Sequence, residues 1–328
     1  MVAHLGSELV KILVTGAAGM IGRKLCERLA KEGAGELILH DIVTAGPGSL
    51  VSDFSAAGEA EKLIASRPDI IFHLAAIVSG EAEADFDKGY RINLDGTRRL
   101  FDAIRKAGGG ATAYRPRVVF ASSIAVFGAP FPDAIGDEFV NAPLTSYGTQ
   151  KTICELLLSD YSRKGFFDGV GIRLPTICVR PGKPNLAASG FFSGIIREPL
   201  AGQEAVLPVP ETVRHWFASP RAAVGFLLHA ARMDTAKLGA RRSLSMPGIS
   251  ATVGEEIEAL RRVAGEKVTK LIRRQPDPAI IRIVDGWPRN FDARRAASLG
   301  FRADASFDDI IRFHLEDERI PVPRSGSA

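Results

Sequence analysis

The stretch KILVTGAAGMIG, residues 11–22, decides how the rest of the chain is read. After one lysine it opens with a short apolar, β-branched run, the composition of a strand buried on both faces. That run leads directly into Gly16, Gly19 and Gly22, with two residues between successive glycines. Glycine suits such a junction because the chain must turn sharply, its backbone must approach an anion closely, and the next helix must pack on the strand. The helix beginning near Met20 and Ile21 offers unpaired backbone N–H groups at its amino terminus, which favour a pyrophosphate. Tight turns alone use glycine in the same way, so the surrounding sequence has to choose.

Outward from this junction, compact apolar runs alternate with helical patterns. ELILHD (36–41), DIIFHLAA (69–76), RVVFASS (117–123) and GVGIRLPTICV (169–179) read as strands, and RKLCERLAKEG (23–33) and DGTRRLFDAIRKAG (95–108) as helices between them. Strands separated by helices require crossover connections and a parallel sheet. From Arg180 onward glycine and proline punctuate the chain, as in REPLAGQ (197–203) and LPVPETV (207–213). An apolar helix over 220–233 and a strand within RRSLSMPG (241–248) are expected to return to the sheet. The expected fold is α/β, a Rossmann-type doubly wound parallel sheet with a smaller α/β carboxy-terminal substrate cap. Residues 1–179, rejoined by 218–247, form the nucleotide-binding part, and residues 180–217 and 248–328 form the cap.

The chain has 328 residues, 46% of them apolar and 24% charged, which is a globular composition with ample core. Its formal charge of +4 is spread along the chain, and no lysine run interleaved with aromatics supports nucleic-acid binding. Cys26, Cys154 and Cys178 are odd in number, widely spaced and set among apolar residues. They read as small buried hydrophobes, with no disulfide frame and no metal site. That use of cysteine fits a reducing compartment, and a cytoplasmic location is expected. No segment reads as a membrane span or a secretion leader.

ELILHD ends in Asp41, where a dinucleotide fold needs a carboxylate for the adenosine ribose hydroxyls. A carboxylate there repels a phosphate on that ribose, and DIVTAGPG (41–48) holds no arginine or lysine to neutralise one. NAD is therefore expected over NADP. The plainer reading of Asp41 is an exposed residue at a strand end. Asp53, with Phe54 beside it in VSDFS (51–55), is a candidate acceptor for the adenine amino group, or simply the start of a turn.

Five motifs in order carry a resemblance: TGAAGMIG (15–22), HLAA (73–76), NLDGT (93–97), SSIAVFG (122–128) and SYGTQK (146–151). Together they resemble the extended branch of the short-chain dehydrogenase/reductase superfamily, densely over roughly the first 180 residues and loosely after them. The resemblance implies catalytic roles for Ser123, Tyr147 and Lys151. It also implies that Leu74, Ala75 and Ala76 line the cofactor ribose, that Asn93 holds a helix near the site, and that Leu174, Pro175 and Thr176 flank the nicotinamide. A homodimer is implied as well, formed as a four-helix bundle from the segments 93–106 and 149–162 of each subunit.

Residues four apart share a helix face whatever their purpose, so the Tyr147–Lys151 spacing alone decides nothing. Beside a cofactor it becomes chemistry. A free tyrosine has a pKa near ~10 and is a poor base, but an ammonium one turn away favours the phenolate. Tyr147 then takes a proton from a substrate alcohol, while Ser123 donates a hydrogen bond to the same oxygen. Ser122 and Ser123 also suit a turn cap, and His73 reads as a packed strand residue.

Most relatives in the branch act on nucleotide sugars, usually with asparagine where RLPTI has Thr176 and with an acidic pair where VRHWFASP (213–220) has Ser219 and Pro220. These departures, and the small residues from Asn185 to Gly194, make the chain more similar to the branch's sugar-acid dehydrogenases. That implies NAD-dependent oxidation of the C2 hydroxyl of a small sugar acid to the 2-oxo acid. A small carboxylate needs a forked cation, for which Arg180 and Arg214 are candidates, although either also suits a salt bridge. Ser79 is a candidate for bonding a substrate hydroxyl. Two other readings stand beside this one: a nucleotide-sugar epimerase or dehydratase, and a non-catalytic NAD-sensing regulator. Such a regulator usually lacks the tyrosine or lysine, and both are present here.

Overall fold

The computed structural model describes residues 10–108, 114–182 and 189–321. Fourteen strands are described: β1 (Lys11–Thr15), β2 (Glu36–Asp41), β3 (Leu50–Val51), β4 (Ile70–His73), β5 (Arg117–Ser123), β6 (Ile135–Gly136), β7 (Asp168–Leu174), β8 (Thr176–Ile177), β9 (Ala205–Leu207), β10 (Arg214–Ala218), β11 (Ser243–Ser245), β12 (Ile249–Thr252), β13 (Ile272–Arg274) and β14 (Phe291–Asp292). They divide between two compact units. The first comprises Met1–Val126, Thr145–Arg173 and Val224–Leu244, and the second Phe127–Leu144, Leu174–Ala223 and Ser245–Ala328.

The first unit is built on a seven-stranded sheet in the order β11-β7-β5-β4-β1-β2-β3, the doubly wound arrangement. Pairs β1–β2, β1–β4, β4–β5 and β2–β3 are parallel. Ile12, Leu13 and Val14 of β1 are buried because a central strand is covered on both faces. One core cluster gathers Leu13, Ile71, Val118 and Phe120 with Leu100, Phe101 and Ile104 of the helix Thr97–Ala107 and Cys154 and Leu158 of the helix Ser146–Arg163. Strand order reverses between β1 and β4, and at such a switch point an open sheet leaves a crevice beyond its carboxyl ends.

At the opposite edge an ion cluster ties the strand starts together. Asp168, the first residue of β7, accepts from Arg117 at the start of β5 (Nε 3.1 Å, Nη2 2.8 Å) and from Arg242 just before β11. Thr235 Oγ1 donates to the same carboxylate at 2.6 Å. Arg117 Nη1 also donates to the carbonyls of Ala230 and Ala231 at the end of the helix Pro220–Arg232, and to that of Met233 just after it. A guanidinium there complements the negative end of the helix dipole.

The second unit has three small sheets, ordered β12-β10-β8, β13-β9 and β14-β6. Its core joins Phe192, Ile195 and Ile196 of the helix Gly190–Leu200 to Phe217, to Ile257 and Leu260 of the helix Val253–Ala264, and to Ile310 and Ile311 of the helix Phe307–Asp317. Thr252 and Glu255 form a capping box that starts the middle helix. Ser219 Oγ accepts from Ala222 N at 2.9 Å, so Ser219 and Pro220 begin a helix, with the Asp304 carboxylate on the same serine at 2.5 Å.

Two features differ from the sequence reading. The second unit takes in residues 127–144, 174–179, 218–223 and 245–247, all placed by that reading in the nucleotide-binding part. Residues 90–96 form a π-helix ahead of the helix Thr97–Ala107, a one-residue slip that hydrophobic periodicity does not register. Residues 185–188 of the small-residue stretch lie outside the described residues, and its end begins the helix Gly190–Leu200. Among the described residues, no helix is long and apolar enough to cross a membrane.

Candidate active site

The glycine junction is as tight as its composition implies. Gly16 has φ of +77°, and a Cβ there would lie 2.7 Å from the Ala75 backbone nitrogen. A Cβ on Gly22 would lie 2.1 Å from the Gly16 carbonyl oxygen, so neither position admits a side chain. The helix Met20–Lys31 starts at Gly19 with no side-chain cap and no acidic residue in its first turn. The N–H groups of a first helical turn have no intrahelical acceptor. Met20, Ile21 and Gly22 therefore present donors beside a backbone cradle, which fits a pyrophosphate.

Behind the cradle, His73 joins β1 to the next helix. Thr97 donates its hydroxyl proton to Asn93 O at 2.7 Å, so it accepts from His73 Nε2 at 2.9 Å. Nδ1 then accepts from the Thr15 hydroxyl at 2.7 Å. Burial, with Lys151 adding repulsion, pushes the His73 pKa down to about 3 and keeps the ring neutral. His73 is a packed strand residue. Asn93 Oδ1 accepts from Ile77 N at 2.9 Å, and its Nδ2 donates to Ile77 O at 3.2 Å and Gln150 Oε1 at 2.8 Å. It thereby holds the segment after Leu74, Ala75 and Ala76 against the Tyr147 helix.

Asp41 stands at the tip of β2 and accepts from the backbone N–H groups of Ala18 (2.9 Å) and Ile42 (2.7 Å). Its carboxylate is thereby fixed beside the glycine turn, with lone pairs left for hydroxyl donors. Asp53 is engaged within its own turn by Ser55 (Oγ at 2.6 Å) and by Arg91 (2.7 Å). The Phe54 ring is buried edge-on to His73, with centroids 5.4 Å apart, and is a core group.

Ser123 closes β5, and its Oγ accepts from Ala125 N at 3.1 Å. Thr145 caps the next helix by accepting from Gly148 N at 3.0 Å, which sets Tyr147 in the first turn and Lys151 one turn on. Lys151 is buried; its Nζ donates to Ala121 O at 2.8 Å and lies 4.8 Å from the Phe120 ring centroid and 5.6 Å from that of Tyr147. The ammonium is thus moored two residues before Ser123 and faces the tyrosine ring. Burial pushes its pKa down to about 8, while Cys154 and Glu155 act in the opposite direction.

Leu174, Pro175 and Thr176 belong to the second unit. Thr176 Oγ1 is hydrogen-bonded to His215 Nε2 at 2.6 Å, and the His215 ring is stacked on Phe192 at an interplanar angle of 2°. Burial pushes the His215 pKa down to about 3. Arg180 Nε donates to Ile177 O at 3.1 Å and its Nη2 to Ser189 Oγ at 3.1 Å. Arg214 bonds Ser250 O at 3.1 Å and pairs with Glu255 at 3.2 Å, so it already has a carboxylate partner. Ser79 is half-buried and opens the short helix Ser79–Ala84.

The triad, glycine turn, Asp41, Asn93 and Ser79 therefore share the first unit, whereas Thr176, Arg180 and Arg214 share the second. Thr15, Thr97, Gln150, Ser122, Glu155 and Arg173 also bond here without having been read as site residues, although Thr15, Thr97, Ser122 and Gln150 lie inside the quoted motifs and Glu155 one turn after Lys151.

Comparison with known proteins bears on the chemistry. The model of a family described as the NAD dependent epimerase/dehydratase family matches residues 12–236. The chain is 44% identical over 324 residues to a D-erythronate dehydrogenase of Cupriavidus necator, covering 94% of this chain and 98% of that one. It is 40% identical over 317 residues to a D-erythronate dehydrogenase of Haemophilus influenzae, covering 94% and 99%. A solved structure of a nucleoside-diphosphate-sugar epimerase from Agrobacterium tumefaciens superposes with a TM-score of 0.91 at 65% identity, covering 97% of this chain and 96% of that one. These relatives carry the names of two reactions on one fold.

Proposed function

This chain belongs to the NAD dependent epimerase/dehydratase family, and on that premise we propose that it oxidises the C2 hydroxyl of a small sugar acid, D-erythronate first among them, to the 2-oxo acid. It is an NAD-dependent oxidoreductase. The observation that carries the sugar-acid reading is identity of 44% and 40%, across nearly the whole length, to two proteins of that one activity.

NAD, when bound, supplies the acceptor for the hydride from C2. In this reading Gly16, Gly19 and the first turn from Met20 hold its pyrophosphate, and Asp41 accepts from the adenosine ribose hydroxyls. Leu74, Ala75 and Ala76 line the second ribose, with Lys151 as its donor. Tyr147 accepts the C2 hydroxyl proton as the carbon becomes a carbonyl, and the Lys151 ammonium beside its ring favours the phenolate this requires. Ser123 donates to the same oxygen and steadies it as charge shifts. Ser79 and Thr176 are the candidate partners of substrate hydroxyls, and Arg180 and Arg214 the candidate forks for its carboxylate. Exchange of the arginine that holds it for alanine is expected to raise KM strongly.

The 65% identity to a structure named as an epimerase favours a second reading, reversible oxidation of a nucleotide sugar. The two separate in one experiment. The enzyme is incubated with NAD and either D-erythronate or UDP-glucose. NADH accumulation with D-erythronate and an unchanged UDP-glucose is the expected result. Epimerised UDP-sugar without net NADH would overturn it.

The enzyme is further proposed to work in the cytoplasm as a homodimer, through the helices that hold residues 93–106 and 149–162. Leu100 and Ile104 are buried in the subunit's own core, so the partner face runs through Leu156, which is 67% exposed, and toward Phe86, 58% exposed. Sedimentation of a concentration-independent monomer would remove this proposal.

A further inference from the structure

The carboxyl edge of the sheet holds charges for which the reaction just described has no use. Glu155 lies one turn beyond Lys151 on the same helix, and its carboxylate is 4% exposed. Arg173 grips it as a fork, with Nε 3.0 Å from Oε1 and 3.1 Å from Oε2, and Nη2 2.7 Å from Oε2. Ser122 Oγ donates to Oε1 at 2.5 Å. One carboxylate thus clips together the Tyr147 helix, the end of β5 and the end of β7.

The three members share a relation to the site. Ser122 precedes Ser123, Arg173 precedes Leu174, and Glu155 follows Lys151 by one helical turn. Each stands next to a residue read as touching cofactor or substrate. The surroundings are apolar, with Cys154, Leu158 and Phe120 fully or almost fully buried. In such a place a buried ion pair is a poor source of stability, because desolvation of both charges offsets their attraction and apolar groups of like volume serve as well. What a forked arginine–carboxylate pair supplies, and an apolar contact does not, is one defined geometry.

We infer that Glu155, Arg173 and Ser122 are positioning residues that fix the Tyr147 helix against the ends of β5 and β7, so that Ser123, Tyr147 and Lys151 converge on one reacting oxygen. This rests on the triad reading above. The clip acts through register, since a small slide of the helix along β5 moves Tyr147 and Lys151 together relative to Ser123. It also acts through charge, because Glu155 helps the buried Lys151 stay protonated, the state in which an ammonium faces the tyrosine ring.

The test replaces both charges at once, as Glu155→Leu with Arg173→Leu, so that neither is left buried and alone. Melting temperature, NAD affinity by calorimetry, and kcat and KM are measured beside Tyr147→Phe. The expected outcome is a melting temperature and NAD affinity near those of the parent with kcat lower by about 10²-fold, the scale of a misplacement near 1 Å. Arg173→Lys, which keeps the charge and loses the fork, is expected to fall between the two. Parental kcat in the double variant, with Tyr147→Phe inactive, would overturn the positioning role and leave the triad standing. An active Tyr147→Phe would instead overturn the triad. Should the double variant fail to fold, Ser122→Ala cuts the link to β5 and leaves the ion pair whole. Its kcat is expected to fall about 10-fold at unchanged melting temperature, and parental kcat there would equally overturn the inference.

Discussion

The two ends of the β5–β7 pair carry the same chemistry for different ends. At the strand starts, Asp168 sits between Arg117 and Arg242 with a threonine hydroxyl, its side chain 22% exposed. At the strand ends, Glu155 sits on Arg173 with a serine hydroxyl, 4% exposed. The first cluster binds strand starts to a helix terminus and touches nothing read as reacting. The second stands within one residue or one turn of the triad. Their difference teaches that an ion pair's role in a parallel sheet follows from the sheet's polarity, because the crevice opens only at the carboxyl ends.

The largest expected effect tests the active end. Tyr147→Phe keeps the ring and loses the transferable proton, so kcat/KM is expected to drop by about 10³-fold while NAD affinity and melting temperature hold. Substantial hydride transfer in that variant at neutral pH would collapse the contrast between the two edges.

Asp168→Asn tests the other end and should show the opposite pattern. Burial alone would raise the Asp168 carboxyl, but the bond from Thr235 and the charges of Arg117 and Arg242 outweigh it and hold the pKa below the ordinary value. The stability this confers is present above the unfolded carboxylate pKa and is lost as pH falls through the folded one, so it disappears in acid below pH ~4. The variant is expected to lose about 2 kcal/mol in urea unfolding near neutral pH, and kcat per folded molecule should not change. Lost turnover with full stability would show that the amino edge also serves the site.

Asp41→Ala sharpens the comparison within the carboxyl edge. It removes a ribose acceptor and a repulsive charge together, so NAD should bind roughly 10-fold more weakly and the gap to NADP should narrow. Equal use of both cofactors by the parent enzyme would take Asp41 out of the site.

The Lys151 prediction is confined to stability at alkaline pH. Its folded pKa of about 8 lies below the unfolded value near ~10.4, so the unfolded chain binds more protons across that interval and apo stability gains as pH rises through it. Lys151→Met should abolish this alkaline gain in melting temperature. A parallel pH response in parent and variant would show that the lysine is not held in a desolvated place.

Much of this edge was legible in the chain. β1, β2, β4, β5 and β7 each formed where an apolar run ended in a turn, and the glycine spacing announced a junction that the structure closes to 2.1 Å between a would-be Cβ and a carbonyl. These signals are local, within one turn or one strand. The clip is not local: residues 122, 155 and 173 meet only because β7 lies beside β5 and the helix crosses both, which no spacing within one segment records. Likewise Arg214 meets Glu255 through the β10–β12 register, and Thr176 meets His215 through β8 and β10. The π-helix at 90–96 escaped because Tyr90, Ile92 and Leu94 fall at every second position, a spacing that marks no helix of any kind.

The Thr15–His73–Thr97 row has a direction. Every proton in it is assigned, running from Thr15 into the ring and from the ring to Thr97 and the Asn93 carbonyl. A second proton on the ring would face a hydroxyl already pointed at it. Histidine is the side chain most ready to report a change of acidity near neutrality, and here it is wired as an insulator. His215, held neutral beside Thr176, is silent in the same range. Neither imidazole is placed to change its charge between pH 6 and 8, so these two rings hold the strand ends in one protonation pattern across that span.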